Sequence, residues 1–235
     1  MTSALSVARR LGQVALDLVF PPRCVACGLG GTFLCLSCEA WLAPAAPPRC
    51  PCCWRPGVAG RCLLCQVEPP PFDGLRASFV YDATARELVH ALKYQGVSAL
   101  APPMASFMAQ TAQREALAAG IVVPVPLSGM RQRTRGYNQA EALARELGLE
   151  LGLPVRPAAL RRRRHTPPQA RSRDAGERRR NVAGAFQGEG NEVAGRAVLL
   201  VDDVTTTGAT LSACASALRQ AGAGAVWALA FARED

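Results

Sequence analysis

Apolar residues follow two different periodicities after residue 75, and these predict a succession of strands and helices. Short continuous apolar runs are typical of strands buried on both faces, whereas apolar residues three and four positions apart are typical of helices. The predicted elements, in chain order, are strand Ala77–Tyr81, helices Thr84–Tyr94 and Ala99–Ala119, strand Ile121–Val123, helix Gln139–Leu151, strand Arg196–Val201, helix Ala209–Ala221 and strand Ala225–Phe231. Apolar strands separated by helices predict an α/β fold, with a parallel sheet flanked by helices.

Three segments are predicted along the chain. Residues 1–20 form an amphipathic helix, because Val7, Leu11, Val14 and Leu18 share one face. A signal peptide is the competing interpretation, but polar residues interrupt the apolar stretch. Residues 21–68 hold nine of the ten cysteines, and a proline-rich linker at Glu68–Phe72 marks the end of this small module. Residues 69–235 form the larger domain.

The cysteines of the small module occur as four C-x2-C pairs. Two such pairs make the ligand set of a tetrahedral four-cysteine zinc site, so the module is predicted to be a double zinc ribbon. The predicted ligands are Cys24, Cys27, Cys35 and Cys38 for the first zinc ion, and Cys50, Cys53, Cys62 and Cys65 for the second. A disulfide framework would need an oxidising compartment, for which the sequence shows no export signal. Cys52 is spare in this scheme, although it could replace a neighbouring ligand.

The chain is basic, with a formal net charge of +9. All but one of its 27 basic residues are arginines, and Lys93 is the exception. Ten of the arginines fall between Arg156 and Arg180, where they would attract phosphate groups of a small ligand or of nucleic acid. A solvated loop without a ligand is the alternative interpretation of this stretch. No apolar run approaches the roughly 20 residues that span a bilayer.

The most informative stretch runs from Val198 to Thr210. Four apolar residues form a buried strand, Asp202 and Asp203 follow it, and a threonine- and glycine-rich turn then opens a helix. A helix N-terminus offers unpaired N–H groups to a phosphate, and ligands of open α/β sheets bind at the carboxyl ends of strands. The two carboxylates would then accept hydrogen bonds from ribose hydroxyls. In the alternative interpretation, Thr206 or Thr207 is an ordinary helix N-cap.

This stretch resembles the signature by which type I phosphoribosyltransferases bind phosphoribosyl pyrophosphate (PRPP). The chain as a whole resembles the ComF family (ComF/GntX-like), whose members join a cysteine module to such a domain. Besides the cysteine pairs and the signature, the matching motifs are Pro21–Cys24, Leu92–Gly96, Val123–Pro126, Arg135–Ala140, Thr166–Gln169 and Arg180–Val182. Cys52 and the arginine run at 161–164 depart from the family pattern.

The resemblance implies a type I phosphoribosyltransferase-like fold and a role for each matching motif. Asp202 and Asp203 would bind the ribose hydroxyls, and Thr205–Thr210 would surround the 5-phosphate. The turn at Pro124–Ser128 would take pyrophosphate, residues 161–173 would form a hood, and Mg²⁺ would be held mainly by PRPP oxygens. The candidate PRPP-binding residues are Lys93, Pro124, Val125, Arg135, Asp202, Asp203, Thr205, Thr206, Thr207, Gly208, Ala209 and Thr210.

Two classes of function follow from these expectations. The first is a phosphoribosyltransferase, a glycosyltransferase acting on PRPP, although no residue in the sequence identifies a catalytic acid or base. The second is a non-catalytic adaptor or PRPP sensor that binds a protein partner or nucleic acid, because ComF-like proteins are associated with competence and single-stranded DNA. In both cases the expected location is the cytoplasm, and the sequence is compatible with an oligomer.

Overall fold

A computed structural model describes residues 21–127, 136–163 and 184–235. The chain divides into two compact units, Met1–Trp41 and Leu42–Asp235. The predicted N-terminal helix lies outside the described residues, so the first unit is described from residue 21. The predicted domain boundaries after residues 20 and 68 stay predictions.

The small unit is built around tight turns and one short helix, α1 (Leu36–Ala40). The Gly28 N–H donates to the Cys24 carbonyl at 2.7 Å, and this turn brings the side chains of the first cysteine pair together. Gly28 has a φ of +78°, a conformation that a residue with a Cβ adopts only at a cost. A single bridge between Arg23 and Gly30 completes the loop.

The larger unit alternates strands and helices. It begins with an irregular segment that contains the second cysteine cluster and ends with a long strand. Its elements are α2 (Leu63–Val67), β1 (Gly74–Val80), α3 (Ala83–Tyr94), α4 (Ala101–Arg114), β2 (Ile121–Pro124), α5 (Gln139–Leu151), β3 (Leu160–Arg162), β4 (Phe186–Gly188), α6 (Gly190–Val193), β5 (Ala197–Thr205), α7 (Ala209–Gln220) and β6 (Ala225–Arg233), with short 3₁₀ turns at Ser98–Leu100 and Pro157–Ala159.

The sheet confirms the predicted α/β fold. Four strands lie in the order β1-β6-β5-β2, and all three neighbouring pairs are parallel. Parallel neighbours place the carboxyl ends of their strands at one edge, and there Pro124 of β2 pairs with Val201 of β5. A separate antiparallel hairpin, β3–β4, was not predicted from the sequence.

Helices cover both faces of the sheet, so its strands are apolar on both sides. Alternate residues of β5, Val198 and Leu200, pack in one core with Leu211, Cys214 and Leu218 of α7. The hairpin β3–β4 lies against the same helix, whereas α4 and α5 contact each other and the other sheet face. The packing of α7 against β5 therefore places the N-terminus of α7 at the edge of the sheet where β5 ends. None of the described helices is long and apolar enough to cross a membrane.

Two predicted element boundaries are wrong. Strand β5 continues to Thr205 rather than ending at Val201, because Asp202, Val204 and Thr205 still pair with β6. The helix predicted at Ala99–Ala119 spans Ala101–Arg114, where prolines fill its first turn. Ala116, with a φ of 48°, lies just beyond its end. The remaining elements agree with their predicted limits to within three residues, and α5 agrees at both ends.

Candidate ligand site and cysteine clusters

The acidic pair lies on the last part of β5, at the edge where the parallel strands end. Asp203 is buried, with 3% of its surface exposed, and Asp202 is partly buried. Each carboxylate caps the backbone that follows it: Asp202 Oδ1 accepts from Asp203 N at 2.9 Å, and Asp203 Oδ1 accepts from Val204 N at 2.7 Å. One oxygen of each side chain is thereby fixed.

Lys93, at the end of α3, forms an ion pair with the buried aspartate. Its Nζ lies 3.0 Å from Asp203 Oδ2, and its side chain is 19% exposed. Within the described residues, Asp203 Oδ2 accepts no aligned hydrogen bond despite its burial. A buried oxygen without a hydrogen bond can still accept one, and most buried polar groups in folded proteins have a hydrogen-bond partner. The structure therefore brings Lys93 together with the acidic pair.

The pKa of Asp202 lies well above the ordinary value of an aspartate. Burial, followed by the nearby charge of Asp203, raises the pKa of Asp202 to about 8, and Lys93 acts in the opposite direction. Two adjacent carboxylates favour one shared proton because their negative charges repel at short range. Near neutral pH, Asp202 can therefore hold a proton.

The turn between β5 and α7 is the predicted phosphate loop. Thr205 is the last residue of β5, and Ala209 and Thr210 begin the helix, so the turn proper is Thr206–Gly208. Gly208 is the N-cap, with a φ of 77° and no side-chain cap. Neither threonine is the N-cap, although Thr207 Oγ1 accepts from Ala209 N at 3.3 Å. The start of the helix therefore presents backbone N–H groups and threonine hydroxyls together.

The end of β2 lies beside this site. Val125 N donates to Val201 O at 2.9 Å, which places the Pro124–Val125 turn next to the acidic pair. Asn138 was not among the predicted site residues. Its Nδ2 donates to Val125 O at 3.1 Å, while its Oδ1 accepts from Ala140 N at the start of α5. Its position as a helix cap was readable from sequence, whereas its contact with β2 was not.

Some predicted site residues lie outside the described part of the chain. Arg135 and Ser128 belong to this group, as do residues 164–173 of the predicted hood. Arg161, Arg162 and Arg163 are described: the first two belong to β3, and the Arg162 guanidinium lies 5.2 Å from the centroid of the Phe186 ring. For these arginines, a role in ligand binding stays a prediction.

The structure brings the predicted eight cysteines together as two clusters. In each, the four Sγ atoms lie within 4.8 Å of one another; the groups are Cys24, Cys27, Cys35 and Cys38, and Cys50, Cys53, Cys62 and Cys65. Tetrahedral zinc, with Zn–S bonds near 2.3 Å, requires sulfurs about 3.8 Å apart. The Cys27–Cys35 and Cys53–Cys62 sulfurs are each 3.7 Å apart. Each cluster could hold one zinc ion.

The thiols of each cluster differ in pKa. The pKa of Cys38 is raised, chiefly by a hydrogen bond with the Cys27 side chain, and that of Cys65 is raised chiefly by burial, whereas one thiol of each cluster has a lowered pKa. Burial acts to raise the pKa of Cys24 and Cys50, but backbone N–H groups pointing at each sulfur outweigh it and lower both values to about 6. A thiolate is the form that binds zinc. Cys52 lies outside the second cluster, is buried beside it, and has a raised pKa mainly because of burial.

The loop of the second cluster is held by three groups from the sheet and by Arg49, which precedes the loop in the chain. Four consecutive carbonyls accept hydrogen bonds: Pro51 O from Arg76 Nη1 at 2.8 Å, Cys52 O from Leu75 N at 2.8 Å, Cys53 O from Arg233 Nη1 at 2.9 Å, and Trp54 O from Arg49 Nη1 at 3.0 Å. Sequence reasoning missed these arginines, because an arginine-rich chain gives no signal for three particular ones. The second cluster is thus anchored to strands β1 and β6.

Comparisons with known proteins agree with this architecture. The phosphoribosyl transferase domain family matches residues 133–233, which include the acidic pair and the turn after it. The "DNA utilization protein YhgH" of Salmonella typhimurium is 34% identical over 193 residues, covering 79% of this chain and 80% of that protein. The "Competence protein F" of Haemophilus influenzae is 42% identical over 113 residues, 46% of this chain and 49% of that protein.

A solved structure also matches over part of the chain. It is the glutamine PRPP amidotransferase from B. subtilis complexed with ADP and GMP, with 20% identity, a TM-score of 0.42, and coverage of 60% of this chain and 30% of that one.

The fold and the domain match define a protein with a phosphoribosyltransferase-type domain and two four-cysteine clusters. Because the YhgH protein matches most of both chains at 34% identity, the chain belongs to the ComF family (ComF/GntX-like). The family resemblance read from the sequence is thereby confirmed.

Proposed function

We propose that the chain binds PRPP, or a related ribose 5-phosphate ligand, where β5 turns into α7. Asp203 Oδ2 carries this proposal, because it is buried, lies 3.0 Å from Lys93 and accepts no aligned hydrogen bond among the described residues. A ribose hydroxyl donating to this oxygen would satisfy it. Asp202, which tends to be protonated, would then donate to or accept from the neighbouring hydroxyl.

The turn supplies the other half of the proposed site. Gly208 leaves the backbone open to close approach, since an added Cβ would find no atom nearer than 4.0 Å while its φ of +77° disfavours one. The first N–H groups of α7, with the hydroxyls of Thr206, Thr207 and Thr210, would bind the 5-phosphate. Mg²⁺ would bind mainly to PRPP oxygens, which suits its preference for phosphates and retained waters.

Calorimetric titration with PRPP and Mg²⁺ tests this proposal. Replacing both aspartates, Asp202→Asn with Asp203→Asn, should weaken PRPP binding at least tenfold, because two hydrogen bonds to hydroxyls are each worth about 1 kcal/mol or more. Glu87→Gln on α3 is the matched control, since it removes one carboxylate elsewhere. Equal affinity of the double variant and the control would exclude the acidic pair as the ribose site.

Turnover is a separate question from binding. In the catalytic form of the proposal, the chain transfers the phosphoribosyl group through positioning and electrostatic stabilisation. Pyrophosphate release from PRPP should then appear with one acceptor among purines, pyrimidines and amines. Tight binding without release for every acceptor would favour the non-catalytic sensor.

We also propose a role in DNA utilisation or natural transformation. Support comes from relatives named for DNA utilisation and competence, and from the net charge of +9. Direct contact with single-stranded DNA predicts affinity that falls steeply as salt rises, because bound phosphates release counterions. Salt-independent binding, or none, would favour a competence protein as the partner.

Zinc at both clusters completes the proposal. It rests on the sulfur spacing, and closed four-cysteine sites contribute folding energy rather than chemistry. A cytoplasmic location is part of the proposal, because a reducing compartment would keep the eight clustered cysteines available to zinc. Metal analysis of the purified chain should give two zinc ions per molecule.

A further inference from the structure

Arg233, the last residue of β6, connects the end of the sheet with the second cysteine cluster. Its side chain is 5% exposed, and its Nη1 donates to Cys53 O at 2.9 Å. The Sγ atom of Cys53 is one of the four sulfurs of that cluster. Because this carbonyl and this sulfur belong to one residue, a zinc ion that fixes the sulfur also restricts the position of the carbonyl.

The backbone at Arg233 lies beside the start of the phosphate loop. Arg233 is the strand partner of Thr205, and the next N–H, that of Glu234, donates to Thr205 O at 2.9 Å. Thr205 is buried and is the last residue of β5 before the turn Thr206–Gly208. Arg233 therefore contacts the cysteine cluster through its side chain and the base of the phosphate loop through its strand.

The charge of Arg233 is only partly compensated by Asp235. The Arg233 Nε lies 3.5 Å from Asp235 Oδ1, and it makes no aligned hydrogen bond among the described residues. Both carboxylate oxygens of Asp235 instead accept from Arg49, at 2.8 and 2.6 Å. Four thiolates on one divalent ion carry a net charge of about −2. A zinc-loaded second cluster would therefore supply negative charge beside this buried guanidinium.

We infer that Arg233 is a positioning residue, through which zinc at the second cluster holds the phosphate loop in the conformation that binds PRPP. The inference rests on the proposed function, since it takes this loop to bind the 5-phosphate. Loss of zinc would free the Cys53 carbonyl and remove the counter-charge, so the end of β6 and its partner Thr205 would lose their fixed positions. Zinc and PRPP should then strengthen each other's binding by the same factor, because coupling between two sites is reciprocal.

The coupling can be measured on the full chain carrying Cys35→Ser, in which only the second cluster keeps its zinc. Competition with a zinc-selective chromophoric chelator gives the zinc dissociation constant with and without saturating PRPP and Mg²⁺. We expect PRPP to lower this constant at least fivefold, the lower end of typical coupling between sites. Any zinc that PRPP binds in solution acts in the opposite direction. Arg233→Met should reduce the factor to less than twofold.

Arg76→Met is the matched control for Arg233→Met. Arg76 Nη1 donates to Pro51 O in the same cluster loop at 2.8 Å, but its strand partner Leu229 lies four residues before Arg233. This variant should weaken zinc binding itself and still keep the fivefold effect of PRPP. Loss of the effect in both variants would show that Arg233 only supports the loop, and would overturn the inference.

Calorimetry with PRPP separates the inference from the proposed function. Cys62→Ser, which disrupts the second cluster, should weaken PRPP binding at least fivefold, whereas Cys35→Ser should leave it within twofold of the unaltered chain. Equal PRPP affinities in these two variants would overturn the inference alone. Absence of PRPP binding to the unaltered chain would overturn the proposed function and the inference with it.

Thermal melting checks that each variant is folded at the temperature of the assay. If Arg233→Met does not fold, Arg233→Lys replaces it, because lysine keeps a positive charge but lacks the guanidinium fork. Its shorter reach to Cys53 O should at least halve the effect of PRPP on zinc binding. An undiminished effect in Arg233→Lys would overturn the inference.

Discussion

At the scale of single residues, Lys93 shows why one lysine persists in a chain whose other basic residues are arginines. Its ammonium lies 3.0 Å from Asp203 Oδ2 in a largely buried position. An ammonium is a compact point charge, whereas a guanidinium is a planar fork that needs more room and more acceptors. A single ammonium therefore suits a position beside one buried carboxylate oxygen.

Lys93→Met should destabilise the folded chain by about 2 kcal/mol, less than the 3–5 kcal/mol typical of a broken fully buried pair because Lys93 is partly exposed. The loss arises because Asp203 is left as a buried carboxylate without its counter-ion. Urea unfolding at pH 8 measures it.

A double-mutant cycle distinguishes this ion pair from simple packing of the lysine chain. Adding Asp203→Asn to Lys93→Met should recover most of the lost stability, since no uncompensated charge remains. An effect of Lys93→Met that persists unchanged in the double variant would show that the two side chains are not coupled.

The acidic pair should also make stability depend on pH. The pKa of Asp202 is about 8 in the folded chain against an ordinary value of 3.8, so between these values the folded chain holds a proton that the unfolded chain has lost. This contribution to stability is fully present below the ordinary value and is lost as pH rises through about 8. The free energy of unfolding should therefore fall from pH 5 to pH 9.

Asp202→Asn removes this titration. The cysteine clusters are the same in the variant and the wild type, so their titration contributes equally to both proteins. The stability of the variant should vary less over the same pH range, so that the difference between variant and wild type grows with pH. Parallel curves for the two proteins would mean that Asp202 titrates normally.

At the scale of elements, the hairpin β3–β4 depends on a close approach to α7. A Cβ added at Gly188 would lie 2.6 Å from Ala217 O and 2.7 Å from the Ala221 Cβ, so only glycine fits there. The first contact is with helix backbone, which cannot turn aside as a flexible side chain could. This contact could not be predicted from the sequence, because nothing local marks Gly188 as different from other glycines.

Gly188→Ala should cost about 1–3 kcal/mol, the usual penalty for overpacking a tight contact. Gly120→Ala is a matched control, since its added Cβ would meet its nearest atom, Ala197 O, at 3.8 Å. Chemical denaturation of both variants measures the difference. Similar stabilities for the two would show that the hairpin moves away from α7 without cost.

Elements with a clear local pattern were predictable, and those defined by distant partners were not. Helix α5 was predicted at both ends from its helical pattern, and the structure shows local signals at each end, an Asn138 N-cap and a left-handed Gly152 C-cap. The predicted end of β5 is wrong because three of the four residues Asp202–Thr205 are polar, and the pairing with β6 that keeps them extended cannot be seen in the sequence. The hairpin β3–β4 pairs residues that are about 25 positions apart, and neither strand is long enough to show periodicity.

At the scale of the whole molecule, the candidate site could be predicted where its residues are adjacent in sequence. Asp202 to Thr210 form one continuous motif, whereas the partnership of Lys93 with Asp203 joins residues 110 positions apart. The same distinction applies to the second cysteine cluster. Its ligands follow from spacing, but its anchoring by Arg76 and Arg233 depends on how the sheet folds.

This anchoring predicts that the two clusters differ in what they stabilise. Cys62→Ser should remove one zinc ion and lower the melting temperature of the larger unit by about 5 °C, since a loss of roughly 2 kcal/mol shifts a domain of this size by that amount. Cys35→Ser should also remove one zinc ion, yet leave that transition within about 1 °C, because its cluster lies in the other unit. Differential scanning calorimetry with metal analysis measures both quantities. Equal shifts in the two variants would show that the carbonyl contacts to β1 and β6 do not couple the second cluster to the sheet.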